Sequence, residues 1–369
     1  MRIVHLIPQL RLGAGRYVVD LALRQADVNA VEVLLSEDAE PPFTTDPALV
    51  AQLAARGIPV GVAGDFFHRN LGCLSAAAAA RVRQAVGPEP WIAHAHTAMA
   101  AATARRAAAT VVVSTCHGVA PGRAEVFDLQ DALAWRACDR VTTPSRAWAS
   151  RLEDHFGVAG VAVIPVGVDL RKYRELRRTR SGSALRLVAV AEHTHRKGLD
   201  VLIDALPRVW ARGLQATCYL FGRGDAADAL ESQARAVDPH GERIVFEGHV
   251  ERPYERLGAF DAFVLPSRSD NQPVSAIEAM LAGLPLIVSD AGGLGDLARD
   301  ADAGWVVPAG DADAISEAIL AAGEAGPAGR SAYGARGQAY ARRTFDIEAT
   351  FRSLAAIYEQ GRRAAAVSQ

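Results

Sequence analysis

The sequence predicts an α/β protein made of two doubly wound, Rossmann-like parallel sheets that face a cleft. Short runs rich in Val and Ile alternate with longer stretches of helical period, rich in Ala, Leu and Arg, along nearly all of the 369 residues. The short runs are apolar almost throughout, as in parallel strands that are covered by helices on both faces. A length of 369 residues also fits two domains better than one.

The predicted strands fall into two series, and each strand is a run of four to seven residues. The first series comprises Arg2–Ile7, Ala30–Leu35, Gly57–Val62, Ile92–His96, Thr110–Cys116, Arg140–Thr143 and Gly160–Pro165. The second series comprises Leu185–Val190, Ala216–Phe221, Ile244–Glu247, Ala262–Pro266, Leu286–Ser289 and Gly304–Val307. Helical stretches between the strands include Tyr17–Gln25, Asp46–Arg56, Leu199–Arg212 and Ala226–Val237.

The boundary between the domains is predicted where apolar residues become scarce. Residues 1–170 form the first domain and residues 185–345 the second. The segment 171–184 between them is polar and basic, which is typical of a linker on a solvated surface. In such open sheets, ligands bind beyond the carboxyl ends of the strands.

Composition and charge exclude several classes of protein. Forty Lys and Arg against forty-two Asp and Glu leave a net charge of −2, without the basic excess of a general nucleic-acid binder. No apolar run approaches the ~18 residues of a membrane span, and the N-terminus lacks the pattern of a signal peptide. The four cysteines are far apart, which argues against a disulfide scaffold. We expect a cytoplasmic protein, with peripheral contact at the inner face of the cell membrane left open.

Three candidate sites follow strands of the first domain. Gly13, Gly15 and Arg16 follow the first strand, where glycines let a backbone approach a ligand, although a plain structural turn fits equally well. His94 and His96 lie on one face of a later strand, and His117 follows the next. No third ligand is spaced with the His94 and His96 pair, so a polar role lining the cleft is favoured over zinc.

The second domain has a basic candidate site after its first strand. Lys197 is one of only two lysines in an Arg-rich chain, and it stands just before a glycine and a predicted helix. An ammonium in that position suits a phosphate group. His193 and Arg196 lie beside it, and Gly222 and Gly224 follow the next strand as a Gly-rich ligand loop.

The loop after the strand Ala262–Pro266 carries two carboxylates. Asp270 precedes the helix that Pro273 opens, and Glu278 lies about five residues inside that helix. Asn271 and Gln272 stand between them. Two carboxylates that flank free backbone amides can bind a polyhydroxylated ligand at two points.

In their order and spacing, these motifs resemble a GT-B-fold retaining glycosyltransferase of family 4, over nearly the whole chain. The first half carries L-G-A-G-R at Leu12–Arg16, H-x-H at His94–His96, T-x-H-G at Thr115–Gly118, P-S at Pro144-Ser145 and I-P-x-G-V-D at Ile164–Asp169. The second half carries K-G at Lys197-Gly198, G-x-G at Gly222–Gly224, F-x-G at Phe246–Gly248, P-S-x-S…P…E-A-M at Pro266–Met280 and A-G-x-P…G-G at Ala282–Gly293.

The resemblance implies a role for each candidate. Glu278 would bind the ribose hydroxyls of a nucleotide-diphosphate sugar, and Asp270 with the amides of Asn271 and Gln272 would hold the sugar. Lys197 and the amides near Gly13 and Gly15 would hold the diphosphate. His117 would lie by the transferred sugar. Fixed cations and N–H dipoles would then stabilise the departing diphosphate, so that neither a divalent metal nor a cofactor is expected.

The resemblance also implies that the C-terminal segment 346–369 is a helix that crosses back to the first domain. The acceptor would be a glycan or a lipid-linked glycan, as in the synthesis of surface polysaccharide or lipopolysaccharide. Its binding would involve the first domain, where His94, His96 and Arg16 are candidates. Exposed aromatic or polar candidates for the same role are Phe66, Phe67, His68, Phe127 and Trp135.

The chain departs from the family pattern at two positions. Asp270 and Asn271 give a D-N-x-P variant of the E-x7-E signature, and Glu192 stands where an Arg is usual. An anion at position 192 would repel a phosphate unless Arg196 or His193 supplies the missing charge. Two alternatives therefore stay open. One is a non-catalytic family member that binds a nucleotide sugar or a partner, and the other is a sugar-nucleotide epimerase on the same fold.

Overall fold

The computed structural model describes residues 1–36, 44–63, 76–119, 124–176 and 184–367. The chain divides into two compact domains, one formed by Met1–Val168 with Phe345–Gln369 and the other by Asp169–Thr344. The candidates Phe66, Phe67 and His68 lie outside the described residues. None of the described helices is long and apolar enough to cross a lipid bilayer.

The first domain contains a parallel sheet with helices between its strands. Its strands are β1 (Arg2–Ile7), β2 (Ala30–Leu35), β3 (Val60–Val62), β4 (Ile92–Ala95), β5 (Val111–Thr115), β6 (Arg140–Thr143) and β7 (Ala162–Val163). They pair in the order β3-β2-β1-β4-β5-β6-β7. The order reverses between β1 and β4, which pair with His5 opposite His94. A ligand site is expected where the order of such a sheet reverses.

Six helices accompany this sheet in the described part of the first 168 residues. They are α1 (Leu12–Gln25), α2 (Pro47–Ala55), α3 (Ala76–Val86), α4 (Ala98–Arg106), α5 (Glu125–Arg136) and α6 (Arg146–Asp154). Helices α2, α4 and α6 are preceded by Asp46, Thr97 and Ser145, whose side chains each accept a hydrogen bond from a backbone N–H of the first turn. Such caps satisfy donors that have no partner within the helix.

The second domain repeats the plan. Its strands are β8 (Leu185–Val190), β9 (Ala216–Phe221), β10 (Ile244–Gly248), β11 (Ala262–Leu265), β12 (Leu286–Ser289) and β13 (Gly304–Val307). They pair in the order β10-β9-β8-β11-β12-β13, with every pair parallel. Strands β8 and β11 are therefore neighbours at the reversal of this sheet.

The helices of the second domain cover its sheet, and the last helix of the chain belongs to the first domain. The helices of the second domain are α7 (Leu199–Ala211), α8 (Ala227–Val237), α9 (Val274–Leu281), α10 (Gly293–Ala301), α11 (Ala312–Glu324) and α12 (Gly326–Thr344). The last helix is α13 (Ile347–Val367). Helix α13 and the residues just before it are joined to the rest of the first domain by hydrogen bonds from Val168 N to Phe345 O (2.9 Å) and from Thr350 Oγ1 to Pro165 O (2.9 Å).

The structure corrects several local predictions. Helix α1 begins at Leu12 rather than Tyr17, so Gly13 and Gly15 lie in its first turn and not in a loop before it. Part of the predicted linker is ordered, since Leu170–Tyr173 form a 3₁₀ helix whose Tyr173 is buried. Trp135, predicted to be exposed, is buried in the core around α5 and α6, because its face of α5 packs inward.

Candidate functional site

The basic candidate site of the second domain lies where the sheet order reverses. A 3₁₀ turn, His195–Lys197, follows β8 and leads into α7. The loop after β11 runs from Pro266 to α9. These two loops are joined by hydrogen bonds from Arg268 N to Arg196 O (2.8 Å) and from Arg196 Nη1 to Ser269 O (3.1 Å). Two loops that are far apart in sequence therefore form one continuous surface at the strand ends.

Gly198 permits this close approach of the two loops. Its backbone has a φ of +67°, and a side chain there would overlap the carbonyl group of Pro266. Only glycine meets both requirements without strain. Arg268 then forms a bidentate ion pair with Asp200 at 2.6 and 2.7 Å, which fixes the start of α7 against the loop after β11.

Lys197 and Asp270 form a buried ion pair in the centre of this surface. Nζ of Lys197 lies 2.6 Å from Oδ2 of Asp270, and Arg196 Nη1 lies 3.6 Å from Oδ1. Burial opposes ionisation of Asp270, but the charges of Lys197 and Arg196 outweigh it and lower the pKa of the carboxyl group. Burial lowers the pKa of Lys197, and the field of Asp270 partly offsets that effect.

Glu192 acts on the same cluster. Burial has the largest effect on the pKa of Lys197 and lowers it, and the negative charge of Glu192 acts in the opposite direction. The anion that stands in place of the usual Arg therefore favours the charged form of Lys197. Arg196, whose guanidinium lies beside Asp270, keeps a second cation in the cluster.

Hydrogen bonds from two serine side chains stabilise the loop that carries Asp270. Ser267 donates from Oγ to Oδ2 of Asp270 at 3.0 Å, and Ser289 donates to the carbonyl of Ser267 at 2.6 Å. Asn271 is buried and Gln272 is half-buried. Pro273 caps α9 one residue before the helix begins, rather than occupying its first turn.

Glu278 is buried on α9 and has a partner that was not predicted from the sequence. Tyr173 donates from its hydroxyl to Oε1 of Glu278 at 3.2 Å, and its ring lies 5.0 Å from that of Tyr254. Both Tyr173 and Glu278 belong to the second domain. The polar, basic character of residues 171–184 concealed Tyr173, although an aromatic residue in an otherwise charged segment is itself a signal of burial.

His193 lies under the Gly-rich loop. Side chains at Gly222 and Gly224 would overlap the carbonyl oxygens of Ala191 and His193, so these glycines contact the chain's own loop after β8. His193 Nε2 and Thr194 Oγ1 are two of several polar side-chain atoms that are buried without a hydrogen-bond partner in the described part of the chain. Thr194 was not predicted from the sequence. Buried polar atoms without partners mark a place where a ligand or water can add hydrogen bonds.

In the first domain, the histidines form a buried cluster rather than a polar lining. His5, His94 and His96 are each no more than 4% exposed, and their candidate ligand atoms lie within 4.8 Å of one another. The expectation that no third ligand accompanies His94 and His96 is wrong. His5 is brought beside them because β1 pairs with β4, a pairing that local sequence spacing does not reveal.

Hydrogen bonds connect this cluster in series. Gln25 Oε1 lies 2.7 Å from His5 Nε2, and His5 Nδ1 lies 3.0 Å from His96 Nε2. His96 Nδ1 in turn lies 3.0 Å from Nε2 of the partly exposed His117. Burial lowers the pKa of His5 and of His117 to about 4. The rings are therefore neutral at pH 7.

A second series joins the same Gln25 to the far side of the cluster. Gln25 Nε2 donates to the hydroxyl of Tyr358 at 3.2 Å, and that hydroxyl lies 2.7 Å from His94 Nδ1. His94 Nε2 lies 2.7 Å from Thr115 Oγ1. Every ring nitrogen of His5, His94 and His96 thus has a hydrogen-bond partner, so the three rings form a hydrogen-bonded network as they stand.

The remaining first-domain candidates lie at the start of α1 and on α5. A side chain at Gly15 would press on the backbone of Leu10, so this glycine is required by packing. Gly13 and Arg16 lie in the first turns of α1 and are half-buried. Phe127 on α5 is half-buried as well.

Two family profiles match the chain in succession. Residues 12–172 match the profile described as Glycosyltransferase Family 4, and residues 184–324 match that described as Glycosyl transferases group 1. The colanic acid biosynthesis glycosyltransferase WcaL of Salmonella typhimurium is 28% identical over 49% of this chain and 47% of its own. A GDP-mannose-dependent α-(1-6)-phosphatidylinositol monomannoside mannosyltransferase of Mycolicibacterium smegmatis is 30% identical over 58% of this chain and 62% of its own.

These alignments span about half the length of the curated relatives. The fold is matched over more of the chain. HepE of Anabaena in complex with UDP-glucose superposes with a TM-score of 0.80 at 20% identity, covering 98% of this chain and all of that one. The two glycosyltransferase profiles follow one another along the chain and its fold matches that of HepE, so the chain has a GT-B fold whose two domains each match a glycosyltransferase family.

Proposed function

We propose that the protein transfers a sugar from a nucleotide-diphosphate donor to a glycan or lipid-linked acceptor, with retention of configuration. The observation that supports this best is the buried pair of Lys197 and Asp270 at the reversal of the second sheet, with Arg196 beside it. Cleavage of a sugar–phosphate bond builds negative charge on the departing diphosphate, and fixed cations stabilise that charge in the transition state. The second domain would therefore bind the donor.

Each residue of this surface has a distinct part in the proposal. Lys197, Arg196 and the unpartnered His193 Nε2 contact the diphosphate, while Asp270 exchanges part of its contact with Lys197 for sugar hydroxyls. The backbone amides of Asn271 and Gln272 support the same sugar. Glu278, oriented by Tyr173, accepts hydrogen bonds from the ribose, and the carboxylate is well suited to that because it is an acceptor only.

The first domain takes the acceptor side in this proposal. His117 contacts the transferred sugar, and Arg16 with the amides of Gly13 and Gly15 at the start of α1 contacts anionic groups. A helix N-terminus suits such groups because its backbone N–H groups lack partners within the helix. His94 and His96 act through their hydrogen bonds and not by direct contact, because both are buried.

In this proposal, the positive charges of Lys197 and Arg196 take the place that a divalent metal ion has in other transferases. We therefore expect no cofactor and unchanged turnover after treatment with EDTA and gel filtration. Turnover that is lost on chelation and restored by Mg²⁺ or Mn²⁺ would contradict this part of the proposal.

The decisive experiment screens UDP- and GDP-sugars by calorimetry and then assays transfer to lipid-linked oligosaccharides, with the anomeric configuration of the product read by NMR. Lys197→Met should lower kcat/KM by at least ~10²-fold, the size seen when a transition-state stabiliser is lost. Arg208→Met, which removes an exposed cation of the neighbouring helix, is the matched control and should leave it unchanged. Binding without transfer to any acceptor would favour a non-catalytic family member, and conversion of the donor without an acceptor would favour an epimerase.

The place of action follows from the proposed acceptor. WcaL and the mannosyltransferase are named for colanic acid and for phosphatidylinositol monomannoside, respectively. We infer that the protein acts in the cytoplasm, at the inner face of the membrane, and that it contacts lipid peripherally. Sedimentation with vesicles that carry anionic lipid tests this, and absence of the protein from the pellet at low salt would contradict it.

A further inference from the structure

We propose that the amide group of Gln25 fixes the tautomers of the buried histidines, so that His117 presents Nδ1 as a hydrogen-bond acceptor. Gln25 is then a positioning residue that acts through two intervening rings. It lies at the last position of α1, which is distant in sequence from His117. This inference concerns the first domain alone and is derived from the hydrogen bonds within it.

The series begins at an oxygen that can only accept. Gln25 Oε1 lies 2.7 Å from His5 Nε2, so the ring nitrogen must carry the proton of that hydrogen bond. A neutral imidazole has a single N–H, so the other nitrogen of His5, Nδ1, must accept. Its partner at 3.0 Å is Nε2 of His96, which therefore carries a proton as well.

The same rule applies at the next ring. With its proton on Nε2, His96 accepts at Nδ1, and Nε2 of His117 at 3.0 Å donates to it. His117 is then left with a lone pair on Nδ1. Burial lowers the pKa of all three rings, and neighbouring histidines lower that of His96 further, so that the neutral form on which the rule depends is the stable one at pH 7.

The other end of the same amide orients the second series. Gln25 Nε2 donates to Tyr358 at 3.2 Å, so the tyrosine hydroxyl donates onward to His94 Nδ1 at 2.7 Å. His94 Nε2 then donates to Thr115 Oγ1, and that hydroxyl can donate to Thr142 Oγ1, each at 2.7 Å. Rotating the amide by half a turn would require every one of these protons to move. One amide therefore sets the direction of both series.

A metal ion held by His5, His94 and His96 would require a different arrangement. Each nitrogen that binds a metal must offer a lone pair, whereas the contact between His5 and His96 at 3.0 Å has a proton between the two nitrogens. Zinc would displace that proton and break contacts of Gln25 or Tyr358. Zinc binding is therefore an outcome that would overturn the proposal.

A neutral His117 with a lone pair on Nδ1 accepts a hydrogen bond from a hydroxyl group and does not attract a phosphate. That it meets a sugar hydroxyl rests on the proposed function, while the tautomer itself does not. The two can fail separately. A protein that binds no nucleotide sugar, yet keeps these tautomers, would contradict only the proposed function.

The test reads the tautomers directly. Protein labelled with ¹⁵N at histidine is examined at pH 7.5 by two-bond ¹H–¹⁵N correlation spectra, which distinguish a protonated Nε2 from a protonated Nδ1. His5, His96 and His117 are assigned by single replacements. We expect all three to carry the proton on Nε2 in the wild-type protein. A proton on Nδ1 of His117 in the wild-type protein overturns the proposal.

Gln25→Met tests the cause, because it keeps the length of the side chain and removes both polar atoms. We expect His117 to change from a single tautomer to a mixture. Thr115→Val is the matched control, since it removes a buried hydroxyl from the other series and should leave His117 on Nε2. An unchanged tautomer in a folded Gln25→Met protein overturns the proposal. So does a stoichiometric shift of the His5 and His96 signals when zinc is added to the wild-type protein.

Discussion

Lys197 and Asp270 are 73 positions apart in the sequence, yet Nζ of one lies 2.6 Å from Oδ2 of the other, and both are buried. The contact exists because β8 and β11 are neighbours and because Gly198 lets the loops that follow them touch. Each charge therefore depends on the other for its stability in the absence of a ligand.

Asp270→Asn should destabilise the protein by about 3–5 kcal/mol, because it leaves the ammonium of Lys197 buried without its counter-ion. Urea denaturation measures the change. In the double variant Lys197→Met with Asp270→Asn, most of that loss should be recovered, since neither charge of the buried pair then remains and Arg196, which also lies beside Asp270, is 35% exposed. Losses that simply add in the double variant would show that the two side chains are not coupled.

Tyr173→Phe should weaken binding of the nucleotide while leaving the chemical step intact. The variant removes one hydrogen bond to Glu278, worth about 1 kcal/mol, and so raises KM by roughly fivefold with kcat unchanged. Glu278→Gln should have the larger effect, because it replaces the acceptor-only carboxylate itself. Steady-state kinetics with varied donor measures both, and a fall in kcat alone for Tyr173→Phe would contradict the assigned role.

The site residues that could be predicted from the sequence are those whose neighbours in the chain form a recognisable local pattern. The apolar runs predict the strands, and the strand ends then identify Lys197, Asp270 and Glu278 as neighbours at one edge of a sheet. His5 was missed because it lies within an apolar strand and gains its meaning only from pairing with β4. Gln25 was missed because it ends an ordinary helix. Contacts between distant elements cannot be deduced from local periodicity.

The stability of the protein should fall between pH 6.5 and pH 4. The pKa of His5 is lowered from 6.5 to about 4 in the folded protein by burial, so the unfolded chain binds more protons in that interval. Its contribution is complete above pH 6.5 and is lost as the pH falls toward 4, at up to about 1.4 kcal/mol per pH unit for each such histidine. His117 adds a second contribution in the same interval.

Urea denaturation at pH 7.5, 6.5, 5.5 and 4.5 measures this dependence. The pKa values of Asp200 and Asp270 are lowered from 3.8, so these carboxyl groups lose their contributions only below the interval. The free energy of unfolding should change little from pH 7.5 to 6.5 and decline steeply below. A constant value down to pH 4.5 would show that the pKa values of these histidines are not lowered in the folded protein.

Gly198→Ala should cost both stability and activity. An alanine at this position must adopt a left-handed backbone conformation, and its methyl group would overlap the carbonyl of Pro266. The loop that carries Asp270 therefore has to move away from Lys197. Gly213→Ala is the matched control, because Gly213 has a similar positive φ of +85° with open space around it. We expect the control to cost about 1 kcal/mol in the free energy of unfolding and no activity. Gly198→Ala should cost more than the control and lower kcat/KM as well, and equal behaviour of the two variants would show that the contact with Pro266 does not position the ion pair.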